Sequence, residues 1–158
     1  MNAFTLTRRI AARPAIVFDA LTTADGVASW WGPSEQPVTL AEMDARIGGA
    51  FRVRFKTDDG LEHEASGEFL EMDPPRRVVM SWRWTIEGEP DEAEKTSRIE
   101  IDLHGANAGA TELTFKHEGL ATLVSVANHE NGWSRAFDKL ERRFEDAEAG
   151  GTVDVVQR

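Results

Sequence analysis

Cysteine is missing from the 158-residue chain, which removes disulfides, thiolate metal ligands and cysteine nucleophiles together and fits a reducing compartment. Long apolar runs are missing too. Met1 to Ile10 alternates polar and apolar residues and holds nothing of the length that a signal-peptide core or a membrane span needs, so the expected location is cytoplasmic. Positive charge is scarce: a formal net charge of -10 opposes the counterion release that drives nucleic-acid binding and repels anionic lipid head groups. Nucleic acid and membrane are therefore poor partners. There is no repeat of fixed period and no low-complexity linker, and the length suits one domain with one site. HExxH spacing, a nucleophile elbow, a phosphate-cradling glycine loop and a dinucleotide fingerprint are all absent, and Gly48-Gly49 sits in a hairpin pattern instead of at a helix start. The expectation is no cofactor and no metal.

What the chain does have is alternation. Phe4-Thr5-Leu6-Thr7 and Phe51-Arg52-Val53-Arg54-Phe55 place apolar residues at every second position, as do Val78, Met80, Trp82 and Trp84, then Ile99, Ile101 and Leu103, then Leu113 and Phe115. Strands send alternate side chains to opposite faces, so each run has one dry and one wet side. The wet side carries Arg52, Arg54, Glu62, Glu64, Glu68, Arg83, Arg98, Glu100, Asp102 and Lys116, a mixed-sign set suited to cross-strand pairs. Turn chemistry separates the runs at Gly48-Gly49, Asp58-Asp59-Gly60, Asp73-Pro74-Pro75 and Asn107-Ala108-Gly109. The acidic stretch from Glu87 to Glu94, with Gly88 and Pro90, reads as an exposed, mobile hairpin loop.

Helical pattern is confined to two places. Pro14 suits a first helical turn, with Ile16, Val17, Ala20 and Leu21 along one side, before Thr22-Thr23 interrupts a run that resumes at Val27, Trp30 and Trp31. Two short helices are expected there. Leu123, Val126, Trp133, Phe137, Leu140 and Phe144 then form one stripe at three- and four-residue steps, ending before Gly150-Gly151. The order predicts an α+β fold: a curved antiparallel sheet of about six to seven strands, two short helices after the first strand and one long C-terminal helix. Residues 1–149 are read as a single domain and 150–158 as a flexible tail. One helix cannot fill the concave side of a strongly curved sheet, so an apolar cavity is expected between them.

Several landmarks occur in order: Arg9-Ile10-Ala11-Ala12-Arg13-Pro14, Trp30-Trp31-Gly32-Pro33, Asp44-Ala45-Arg46-Ile47-Gly48-Gly49, Gly67-Glu68-Phe69-Leu70-Glu71-Met72-Asp73-Pro74-Pro75, His117-Glu118-Gly119 and His129-Glu130-Asn131-Gly132-Trp133. Together, over about residues 4 to 145, they resemble the SRPBCC (START-like) superfamily, and within it the family named for its likeness to the activator of heat-shock protein 90 ATPase. The resemblance implies a helix-grip fold with a cavity between sheet and long helix. It implies no single activity, because the superfamily includes lipid carriers, hormone receptors, cyclases and co-chaperone domains.

The candidate ligand-binding residues are Trp31, Phe51, Trp82, Trp84, His117, Glu130, Trp133 and Phe137; no residue is assigned a catalytic role. Each has a plainer reading. Trp30 and Trp31 serve as core packing at the helix-to-sheet corner or as a cavity wall, and Trp82 and Trp84 share a strand face with Met80 as core or adaptable lining. His117 is in phase with Leu113 and Phe115, and a structural hydrogen bond is its simplest use. His63 is in phase with Ala65 and Phe69, and either His129 or Glu130 interrupts the helical stripe. His63, His117, His129 and Glu130 lack metal-site spacing. Gly132 costs the helix roughly 1 kcal/mol, offset by close approach to the sheet or by room for a ligand. Lys139, Arg142 and Arg143 read as solvated cations near the helix C-terminus that need no partner.

The leading functional reading is a non-catalytic domain that binds a small hydrophobic or amphipathic molecule. A second reading is a protein-interaction role on a chaperone ATPase or another protein, although the second, N-terminal domain of the eukaryotic co-chaperones has no room here. A third is a cyclase- or hydrolase-like enzyme using Glu130 and His117. The chain is expected as monomer or homodimer, with the exposed sheet edge at the first strand able to pair two copies.

Overall fold

Every apolar alternation in the sequence becomes a strand in the computed structural model, which describes residues 2–88 and 96–155. Strand β1 is Asn2–Ile10, followed by helices α1, Pro14–Thr22, and α2, Ala24–Ala28. Then come β2 (Val38–Met43), β3 (Ala50–Lys56), β4 (Glu62–Asp73), β5 (Arg77–Ile86), β6 (Ser97–Gly105), β7 (Thr111–Leu120) and helix α3 (Leu123–Val155). Pro14 opens α1, where its missing N–H costs nothing. The Thr23 hydroxyl accepts from the Gly26 N–H at 3.0 Å and so caps α2. Residues 89–95 of the acidic hairpin loop lie outside the described residues.

The seven strands form one antiparallel sheet in the order β1-β7-β6-β5-β4-β3-β2. Its outer face pairs charges across the strands as the alternation implies. Arg52 faces Glu42 at 3.0 Å, Arg54 faces Glu64 at 2.7 Å, and Arg98 lies 3.5 Å from Glu118. The densest cluster is centred on Arg77, whose guanidinium donates to Glu100 at 2.8 Å, Asp102 at 3.0 Å and Glu71 at 3.2 Å. These hydrogen bonds hold Arg77 protonated and pull Glu100 below the usual carboxylate range.

The inner face is apolar, with Phe51, Val53, Ala65, Phe69, Val78, Met80, Ile99, Ile101, Leu103, Leu113 and Phe115 buried against the helices. Helix α3 packs on the β1 and β7 end of the sheet. Trp133, Ala136, Phe137, Leu140 and Phe144 are its buried stripe. Trp30 is sealed beneath it, its ring stacked on Phe137 at 5.6 Å and its indole N–H donating to the Ala20 carbonyl at 2.9 Å.

Two expectations about α3 need correction. The helix continues through Gly150-Gly151 to Val155; glycine lowers helix stability by about 1 kcal/mol but keeps its N–H and, unlike proline, is no obligatory stop. The cations on its flank also do have partners. Lys139 Nζ donates to the carbonyls of Ser34 at 2.6 Å and Trp31 at 3.1 Å, Arg142 pairs with Glu35 at 3.1 Å, and Arg143 donates to Ser29 Oγ at 2.5 Å. They fasten the chain after α2 to the helix, which positions Trp31. Partial burial lowers the Lys139 pKa from its ordinary value.

On the other flank Arg8 of β1 reaches α3 through Asp138 at 2.7 Å, Glu141 at 2.5 Å, and Ser134 Oγ at 2.8 Å. Its side chain is only 16% exposed, so the pairs are partly desolvated. Removing one partner from such a network leaves the others unpaired, and Arg8→Ala is expected to cost about 1–3 kcal/mol in urea denaturation. Arg46→Ala, which breaks the exposed Arg46–Asp44 pair, is expected to leave the midpoint unchanged.

Candidate functional site

A cleft of about 90 Å³ remains between α3, the segment after α2 and strands β3, β4 and β5. Trp31, Phe55, Trp82, Trp84 and Trp133 wall it with rings, joined by Pro33, His63, Asn128, His129, Gly132 and Ala136. None of these carries a formal charge at neutral pH when the imidazoles are neutral. Local backbone geometry makes the wall possible. Gly32, at φ +91, turns the chain directly after Trp31, and a Cβ there would come within 3.2 Å of the Phe55 ring, so both sterics and φ call for glycine. Gly132 differs. A Cβ at this helical position would meet Pro33 at 3.9 Å, an ordinary contact, so the glycine is not explained by close approach to the sheet; it widens the cleft.

The rings are tied together by hydrogen bonds between tryptophan and histidine. Trp82 Nε1–H donates to His129 Nε2 at 3.1 Å, and His129 Nδ1 lies 2.9 Å from the Ser125 carbonyl. Because an indole can only donate and a carbonyl can only accept, His129 is the neutral Nδ1–H tautomer. Trp84 Nε1–H donates to His63 Nδ1 at 2.9 Å, leaving the proton on His63 Nε2, which faces Thr57 Oγ1 at 3.3 Å. The Thr57 hydroxyl donates in turn to Asp59. That bond is the largest influence holding the Asp59 carboxyl below its ordinary pKa. His63 stacks between Phe55 at 5.2 Å and Trp84 at 5.5 Å. Trp84 meets His129 edge-on at 4.8 Å, bridging sheet and helix.

Beyond that bridge lies a second, more polar space of about 240 Å³. Ser97, Thr122, Ser125 and the backbone around Gly119 line it, and Trp82, Trp84, Asn128 and His129 belong to both spaces.

Of the residues singled out in the sequence, Trp31, Trp82, Trp84 and Trp133 meet at the cleft. Phe51, His117 and Phe137 do not line it. They are buried in the core, Phe51 against Phe69 at 5.7 Å, Phe137 against Trp30, and His117 against Trp82 at 5.6 Å and His129 at 5.0 Å. Glu130 is exposed. The helical phase turns His129 inward instead, where Trp82 supplies a donor and a carboxylate would be desolvated without a cation. Phe55, Pro33 and Asn128 line the cleft in addition to the candidate residues. Phe55 lay in a recognised alternation, whereas Pro33 and Asn128 reach the cleft only through packing.

The exposure of Glu130 separates the acid/base pair that an enzymatic reading would use. One other pairing has catalytic spacing: Ser97 Oγ lies 2.8 Å from His117 Nε2. His117 is fully buried, its Nδ1 has no hydrogen-bond partner, and burial, reinforced by the neighbouring His129, pushes its pKa down to about 2. An imidazole with that pKa and no orienting carboxylate is a poor base at neutral pH. Among the described residues no group of three or more His, Cys, Asp or Glu side chains is placed to hold a metal ion.

A curved antiparallel sheet gripping one long helix, with an aromatic cleft at their junction, defines a helix-grip domain of the START-like class. The chain belongs to the family described as "Activator of Hsp90 ATPase homolog 1-like protein", whose profile matches residues 11–145. Solved structures agree. A Chromobacterium violaceum protein is 28% identical with a TM-score of 0.79, the match covering 91% of this chain and 97% of that one. The AHSA1 protein of Silicibacter pomeroyi is 23% identical with a TM-score of 0.77, over 90% and 96% of the two chains. An Arthrobacter aurescens protein at 16% identity retains a TM-score of 0.78 over 91% and 86%. No curated protein matches the chain. Among the described residues no helix is long and apolar enough to cross a membrane.

The buried imidazoles make stability depend on pH with a definite sign. His117 is neutral in the fold with its pKa near 2, against about 6.5 in the unfolded chain, and burial lowers His129 as well. Between these values the unfolded state binds protons that the native state does not, so stability is full above about pH 6.5 and falls as pH drops. Between pH 7 and 5.5, His117 alone accounts for about 1 kcal/mol. Urea denaturation at the two pH values is expected to show at least this loss. His117→Phe is expected to flatten the dependence, and a variant retaining the full slope would assign it to other groups.

Proposed function

We propose that the chain is a small-molecule-binding domain that takes a small apolar or amphipathic ligand between α3 and the sheet. The carrying observation is a ring-walled, uncharged cleft in which the indole donors of Trp82 and Trp84 are satisfied by neutral histidines. Such a surface offers dispersion and apolar burial to an aromatic or aliphatic group without orphaning the Trp82 and Trp84 N–H groups. At about 90 Å³ it is smaller than the roughly 300–1,000 Å³ of drug-sized sites, so the enclosed part of the ligand is small. Gly132 supports the reading: a helix interior keeps its least favourable ordinary residue where a side chain would project toward the cleft.

Native mass spectrometry and thermal-shift screening against lipids, flavonoids and aromatic acids test the proposal. A co-purified mass or a concentration-dependent rise in Tm is the expected result, because a ligand of the native state stabilises by mass action. Gly132→Ala is expected to stabilise the unliganded protein by up to about 1 kcal/mol and Gly132→Leu to abolish the ligand-dependent shift. A shift that survives Gly132→Leu places the ligand elsewhere. Absence of any bound mass or shift moves the reading to a protein partner of the chaperone kind the family name denotes, docking where Leu123 and Val124 are 77% and 70% exposed.

A further inference from the structure

The aromatic cleft and the polar space beyond it share four residues, Trp82, Trp84, Asn128 and His129. Their contrast in lining chemistry extends the binding reading above, on which this inference rests. We infer that the two spaces are halves of one site for an uncharged amphipathic molecule, with a single small ring or short apolar group in the cleft and a carbonyl- or hydroxyl-bearing end in the polar space.

Three observations carry it. The spaces adjoin at the Trp84–His129 contact, where the rings lie edge-on at 4.8 Å, and both rings line each space. The polar half is supplied with hydroxyl donors. Thr122 Oγ1 accepts from the Ser125 N–H at 3.0 Å, which leaves the hydroxyl hydrogen of Thr122 to donate. The His129 Nδ1 proton goes to the Ser125 carbonyl at 2.9 Å, so the Ser125 hydroxyl hydrogen, beside the same imidazole at 3.3 Å, is also available. Finally, neither lining contains Lys, Arg, Asp or Glu. A carboxylate entering the site would be desolvated without a cation, and the net charge of -10 disfavours its approach.

Three probes with a common benzyl group separate the halves: toluene, phenylacetone and phenylacetate. Binding to the full chain at pH 7.5 is followed by titration of the indole N–H resonances, those of Trp82 and Trp84 assigned from Trp→Phe variants. Phenylacetone is expected to bind about five- to tenfold more tightly than toluene, the gain of one hydrogen bond, and phenylacetate more weakly than either. Ser125→Ala is expected to reduce the preference for phenylacetone over toluene, and Ser125→Thr, which keeps the hydroxyl, to retain it. Toluene and phenylacetone binding equally, or phenylacetate binding best, overturns the two-part site while leaving the aromatic cleft as a binding site. No indole shift with any probe overturns both.

Discussion

The hydrogen bond from Trp82 to His129 is the constraint on which the junction of sheet and helix depends. An indole N–H buried without an acceptor costs about 1–3 kcal/mol, and the inner face of β5 offers none of its own. Helix α3 provides one as an imidazole, and only in the neutral form whose other nitrogen donates to the Ser125 carbonyl. Sheet register, helix phase and protonation state are thereby coupled. The same arrangement is repeated one step along the strand, where Trp84 donates to His63 of the neighbouring β4. Two indoles on one strand face are satisfied by two imidazoles from different elements, and the rings between them close most of the space that a curved sheet would otherwise leave.

That filling changes what the fold offers. A sheet gripping a single helix leaves a concave interior, but here Trp30, Trp31, Trp82, Trp133, Phe115 and Phe137 contact one another across it at centroid distances between 4.6 and 6.4 Å. The remaining enclosed volume is small, and its boundary is formed by side chains instead of rigid backbone. Charge is segregated in the opposite sense. The outer sheet face and the flanks of α3 carry ion pairs, while the cleft and the polar space beyond it are lined without charged residues. A chain of net charge -10 thus encloses two spaces lined without charged residues.

Much of this was legible in the sequence because burial on a sheet has period two and burial on a helix a period near 3.6. Phe51, Val53 and Phe55 on β3, or Ile99, Ile101 and Leu103 on β6, report their inward face directly, and Arg52 and Arg54 between them report the outer one. Phase gives a face but not a depth. Phe51, His117 and Phe137 share inward phase with the cleft residues and lie in the core because of neighbours tens of residues away. The choice between His129 and Glu130 shows the same limit: both positions lie between Val126 and Trp133 on the helical stripe, and the deciding partner, Trp82, is 47 residues distant. The cations at Lys139 and Arg143 were opaque for a related reason, since their partners are backbone carbonyls and a serine in an irregular segment that no periodicity describes.

Gly132 and His117 show how local cost and site geometry are related. A folded chain tolerates an unfavourable residue where another requirement outweighs it. At Gly132 that requirement is space: no backbone approach and no positive φ calls for glycine, and the position opens toward the cleft. At His117 the surroundings are fully packed by Phe4, Phe115 and Trp82, and the imidazole keeps one hydrogen bond, to Ser97, while Nδ1 has none. Packing alone would favour a phenyl ring there. The hydrogen bond instead ties His117 to Ser97, a residue that lines the polar space. Both departures from the locally stable choice fall beside these spaces: Gly132 lines the cleft, and Ser97, the partner of His117, lines the polar space.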